Sequence, residues 1–130
     1  MSTFALKIIE AVKGKQLFCE LLINGCSQYE QFTNEVAHNP QYKSELLTIL
    51  SYMNFVANLK SLPDKKFKDI TPTKETTKEY EFKSAHLRAY VFHCENIGKI
   101  VAYFGYKNCQ KEDIVKFRSI KRRYLKSIIK

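Results

Sequence analysis

A chain of 130 residues, 45% hydrophobic and 13% aromatic, is long enough for one domain with its own core and too apolar for a disordered tail. Its formal charge of +9 points to a polyanionic or acidic partner. No run of apolar residues is long enough to span a bilayer and no basic-then-apolar leader opens the chain, so membrane insertion and secretion are not expected and the expected location is cytoplasmic.

In chain order, Phe4–Val12 and Gln16–Ile23 read as two strands around a Lys13-Gly14-Lys15 turn, a hairpin over residues 4–23. Ser27 with Glu30 three places on forms a capping box and opens a helix over about 27–37. Asn39-Pro40 caps a second helix over about 40–60, in which Leu46, Ile49, Leu50, Met53, Val56 and Ala57 recur at helical spacing. Residues 62–78 hold two prolines and many charges and read as a loop or a short irregular edge.

Three strand-like runs follow over 80–106, the last two joined by the tight turn Asn96–Gly98. A helix over 110–128 carries the apolar stripe Ile114, Phe117, Ile120, Tyr124 and Ile128. The order predicts one α+β domain over 1–130: a mostly antiparallel sheet with its helices packed on one face.

The charge excess is local. Residues 1–62 carry five basic and five acidic groups, whereas residues 107–130 carry nine and two, or +7. Lys111, Lys116, Arg118, Arg122 and Arg123 make the last helix the expected RNA-binding surface. Cys19, Cys26, Cys94 and Cys109 match no metal spacing and read as reduced structural cysteines; neither a metal nor another cofactor is expected.

Side chains two apart share a strand face. That rule predicts one sheet face carrying Lys83, Arg88, Tyr103 and Lys107, with Glu81 and His86 near its edge. An arginine inside LRAYVF needs a reason. Either it pairs with Glu81 across two strands, or its planar fork binds phosphate.

Glu81-Phe82-Lys83, then His86-Leu87-Arg88-Ala89-Tyr90, then Gly105-Tyr106-Lys107 ahead of a basic terminal helix resembles the toxins of the RelE/ParE superfamily, closest to the HigB-like, phage-related branch. The approach Leu62-Pro63, Lys68 and Ile70 is similar too, and the likeness covers about residues 40–128. The resemblance implies the toxin of a type II toxin–antitoxin pair, a metal-independent, ribosome-dependent endoribonuclease that cleaves messenger RNA by 2′-OH attack. It implies Arg88 at the scissile phosphate, Lys83 as base or electrostatic stabiliser, and Lys107 on a phosphate oxygen. His86 joins these candidates for its chemistry, as a group able to move a proton near neutral pH. The implied partners are the ribosome and its messenger, and a cognate antitoxin of helix-turn-helix type. The alternatives are a gyrase-directed or other non-nucleolytic member, and a non-catalytic basic RNA-binding module.

Overall fold

A computed structural model describes residues 2–129. Its elements are strands β1 (Phe4–Ile8), β2 (Phe18–Ile23) and β3 (Cys26–Ser27), helices α1 (Gln28–Val36) and α2 (Pro40–Ala57), strands β4 (Phe67–Asp69), β5 (Glu79–Lys83), β6 (Leu87–Cys94) and β7 (Gly98–Tyr106), and helix α3 (Gln110–Ile128). A single 3-10 turn, Lys107–Cys109, leads from β7 into α3.

The starts of α1 and α2 are set by side chains that satisfy otherwise orphaned backbone donors. Ser27 Oγ accepts from the Glu30 N–H at 3.0 Å, and Asn39 Oδ1 accepts from the Tyr42 N–H at 3.0 Å. Helix α2 ends at Ala57 rather than at 60, and the chain leaves it through Leu59 at φ 64°. The first strand ends at Ile8 rather than Val12. Ile9 and Val12 stay buried because the chain folds onto α2, where Asn54 accepts from the Lys13 N–H at 2.8 Å and donates to the Ala11 carbonyl at 3.3 Å. Within the stretch read as a loop or edge, β4 adds a short strand to β5. Gly98 (φ 128°) is required where β7 begins, since a Cβ there would lie 2.4 Å from the Leu17 carbonyl oxygen.

The seven strands form one sheet in the order β1-β2-β7-β6-β5-β4, with β3 on β2. All pairings are antiparallel except β2 with β7, which run parallel from Phe18↔Lys99 to Glu20↔Val101. The N-terminal hairpin therefore docks beside the last strand. A bulge interrupts β6–β7: Tyr90 pairs with Tyr103 but Val91 with Val101, leaving Ala102 as the extra residue.

The helices do not share one face, contrary to the sequence expectation. Leu87, Ala89 and Val91 of β6 pack with Phe32, Val36, Ile49 and Met53 of α1 and α2, whereas Tyr90 and Phe92 pack with Phe117, Ile120 and Tyr124 of α3. Since alternate strand residues face opposite ways, α1 and α2 cover one side and α3 the other. The reason is visible in the burial of β6, which is closed from Leu87 to Phe92 on both faces. A strand that is largely apolar on both faces needs cover on each side. Among the described residues no helix is long and apolar enough to cross a membrane.

Candidate active site

At one end of the sheet, the start of α2, the β5–β6 turn and the β7–α3 junction enclose a depression of about 650 Å³ lined by Tyr42, His86, Tyr106, Lys107, Asn108 and Cys109. Its organiser is Glu45, one turn into α2 from Tyr42. The Glu45 carboxylate accepts from the Ser84 hydroxyl (2.6 Å), the His86 N–H (2.7 Å), the His86 Nδ1 (2.7 Å) and the Gln41 amide (3.1 Å). Burial pushes this carboxyl up, but the bonds from Ser84, His86 and Gln41 outweigh it and hold the pKa at about 2. A carboxylate can only accept, so Nδ1 of His86 donates to Glu45 and Nε2 is the ring nitrogen left for another partner. Half of the His86 side chain is exposed. The Lys107 N–H donates to the His86 carbonyl at 2.8 Å, which ties the β7–α3 junction to the same turn.

Aromatic rings wall the depression. Tyr42 sits 5.6 Å from the His86 ring and 5.7 Å from Tyr106, centroid to centroid. The Tyr106 hydroxyl donates to Glu35 of α1. Burial and that bond push the Tyr106 phenol up, so it keeps its proton throughout the physiological range.

Arg88 and Lys83 lie elsewhere. They are direct cross-strand partners, as their shared face requires, but α3 covers that face. Arg88 is 7% exposed and its Nη1 donates to the carbonyls of Ser84 (2.7 Å) and Leu87 (2.8 Å). Glu81, 1% exposed, approaches Arg88 Nε and Lys83 Nζ at 3.8 Å each and accepts from the Gln110 amide at 2.6 Å. Asp113 is buried in the same layer, close over Gly105, and burial raises its pKa. Three buried polar atoms here have no hydrogen-bond partner: Glu81 Oε1, Arg88 Nε and Tyr90 OH.

The expected four-residue face is thus divided. Lys83, Arg88 and Tyr103 stay beneath α3. Lys107 leaves it because β7 ends at Tyr106, and it joins His86 at the depression instead. As placed, Arg88 reaches the turn Ser84–Leu87 from behind while Glu45 grips it from the front. That arrangement positions His86 and offers no open phosphate clamp.

The basic helix is also divided. Arg118 donates to Glu79 and to the Ile70 carbonyl at 2.9 Å each, so the structure turns it inward, away from the expected RNA face. Lys121, 2% exposed, bonds Glu79 at 2.7 Å and the Thr77 carbonyl at 3.1 Å. Glu79 begins β5 on the α3 side, and a buried carboxylate there demands cations. Lys111, Lys116, Arg122 and Arg123 remain exposed.

Sequence reasoning missed Glu45, Tyr42 and Lys121. Glu45 stands beside the apolar stripe of α2, and a charge at that boundary was the one signal available. Among the described residues no three His, Cys, Asp or Glu side chains come together as a metal site.

No family model, curated protein or solved structure matches this chain. The fold and the site define it as an α+β domain whose mostly antiparallel sheet lies between helices, with a histidine–carboxylate pair in an aromatic, lysine-bearing depression.

Proposed function

We propose that the chain is an RNA-cleaving toxin of the RelE/ParE type, closest to the HigB-like branch, acting on messenger RNA at the ribosome in the cytoplasm. The observation that carries this reading is the Glu45–His86 pair on the rim of the depression. Nε2 of His86 takes the proton of a ribose 2′-OH. The 2′-oxygen bonds to the adjacent phosphorus, and the P–O5′ bond breaks to leave a 2′,3′-cyclic phosphate. Lys107 neutralises charge that develops on the phosphoryl oxygens, and His86 passes the proton it took to the leaving 5′-oxygen, while Tyr106, its hydroxyl held by Glu35, walls the site. Arg88 and Lys83 support the turn and its strand. Lys111, Lys116, Arg122 and Arg123 supply the salt-dependent grip on flanking phosphates. A cognate antitoxin of helix-turn-helix type completes the pair.

The burial of Arg88 behind Glu81 and Gln110 favours a second reading, in which the domain is a non-nucleolytic member, gyrase-directed or simply RNA-binding. A ribosome-programmed cleavage assay in excess chelator, with ribosomes verified intact, separates the two. Cleavage by wild type that disappears in His86→Ala supports the nuclease. RNA binding without any cleavage supports the second reading.

A further inference from the structure

Strand β1 closes one edge of the sheet, and among the described residues no strand pairs with its outer side. The bonds Asn24 N–H to Thr3 O (2.8 Å) and Ile9 N–H to Phe18 O (2.9 Å) mark the paired positions of the β1–β2 ladder. Alternation within an antiparallel pair then sends the N–H and C=O of Phe4, Leu6 and Ile8 outward. Unpaired backbone groups in a row are a template for another strand. The usual protections are thin here: FALKI contains no proline, the described β1–β2 register is free of bulges, and Lys7 is the one charge. Ile8 is 51% exposed, which adds an apolar contact next to the open backbone.

The surroundings select the chemistry of the occupant. The final turns of α3 end beside the start of β1: Arg123 Nη1 reaches the Ser2 hydroxyl at 3.4 Å, and Tyr124 stacks edge-on against Phe4 at 5.8 Å. Arg122, Arg123 and Lys126 are exposed there around a groove of about 420 Å³ that also holds Leu125 and Ile129. The positive charge beside the start of β1 favours a partner segment that carries acidic groups.

We propose that the free edge of β1 receives an extended segment of a partner protein, alternately acidic and apolar, as an additional strand. Main-chain bonds to Phe4, Leu6 and Ile8 would give affinity, and the cations at the end of α3 would set the preference for acidic residues. This inference stands whether or not the chain cleaves RNA.

The test uses a blocked eight-residue peptide of alternating valine and glutamate, with amide exchange of the full chain read residue by residue. The expected result is new protection at the amides of Phe4, Leu6 and Ile8, and binding that weakens about tenfold at high salt or in Arg122→Glu/Arg123→Glu. A peptide with lysine in place of glutamate should bind far more weakly, and the acidic peptide with two central prolines should not protect the edge. Equal binding by the proline peptide, or binding without protection of those three amides, overturns the proposal. So does protection in the unliganded chain that grows with its concentration, which would make the occupant a second copy. Protection by a single-stranded oligonucleotide in place of the peptide would reassign the surface to nucleic acid.

Discussion

Glu45 holds His86 twice, at 2.7 Å through the backbone N–H and at 2.7 Å through Nδ1. A side chain fixed at both its root and its ring has little freedom left, and the ring nitrogen it presents keeps one direction. That preorganisation is what proton transfer needs. On the nuclease reading, His86→Ala lowers the cleavage rate by roughly a hundredfold or more while the melting temperature changes little. Glu45→Gln keeps an acceptor but loses the charge, and the rate falls by less, with the pH optimum displaced. Single-turnover cleavage measured across pH for both variants checks the claim.

The same carboxylate makes stability depend on pH. Its folded pKa of about 2 lies below the ordinary value of 4.5. A group depressed on folding contributes stability above its unfolded pKa and loses it as pH falls toward the folded one. Between about pH 5 and pH 2 the protein should therefore lose on the order of 2–3 kcal/mol through Glu45 alone. Urea unfolding of wild type and Glu45→Gln at pH 6 and pH 3 should show a smaller pH difference in the variant. An unchanged difference would remove Glu45 from the account.

Arg88 behaves as a buried structural cation in this arrangement. Arg88→Ala removes the Arg88 bond to the Ser84 carbonyl, leaves the Leu87 carbonyl with the Ser84 N–H alone, and leaves Glu81 facing only Lys83 and Gln110. A loss of roughly 3–5 kcal/mol is the scale for breaking one partner of such a pair. Adding Glu81→Gln should recover part of it, because the uncompensated charge goes with it. Melting curves for the two single variants and the double variant decide. A stable, inactive Arg88→Ala protein would return Arg88 to the phosphate.

Glu79 ties α3 to the sheet through Arg118 and the buried Lys121. Glu79→Ala should cost about 3–5 kcal/mol, since it leaves Lys121 buried with only the partly exposed Glu75 carboxylate at 3.7 Å and the Thr77 carbonyl. Glu79→Leu combined with Lys121→Met should be far milder, as an apolar pair replaces an ionic one. Chemical denaturation of the two variants side by side measures the difference.

Gly105 lies so close under α3 that a Cβ there would meet Asp113 Oδ2 at 1.9 Å. Gly105→Ala should destabilise by about 1–3 kcal/mol, and Asp113→Ala in the same chain should relieve much of it. A thermal double-mutant cycle tests this; simple additivity would show that the contact is not the cause.

Several features were legible in the residues themselves because they depend on neighbours a few places away. Ser27 and Asn39 cap helices through groups three residues on, and the stripe Phe117, Ile120, Tyr124 marks the buried side of α3. That Lys83 and Arg88 share a sheet face followed from alternation along the strands. Long-range placement was not legible. No local pattern tells β2 to lie parallel to β7, and no spacing joins Glu45 to His86 across the start of α2 and a strand turn. The basic helix shows the limit most plainly. Composition counts Arg118 and Lys121 with Lys116 and Arg122, yet Glu79 draws the first two inward and leaves the others in solvent. Charge is a property of the residue, but its availability is settled by which carboxylate the folded sheet brings within reach, and that depends on contacts between segments far apart in the chain.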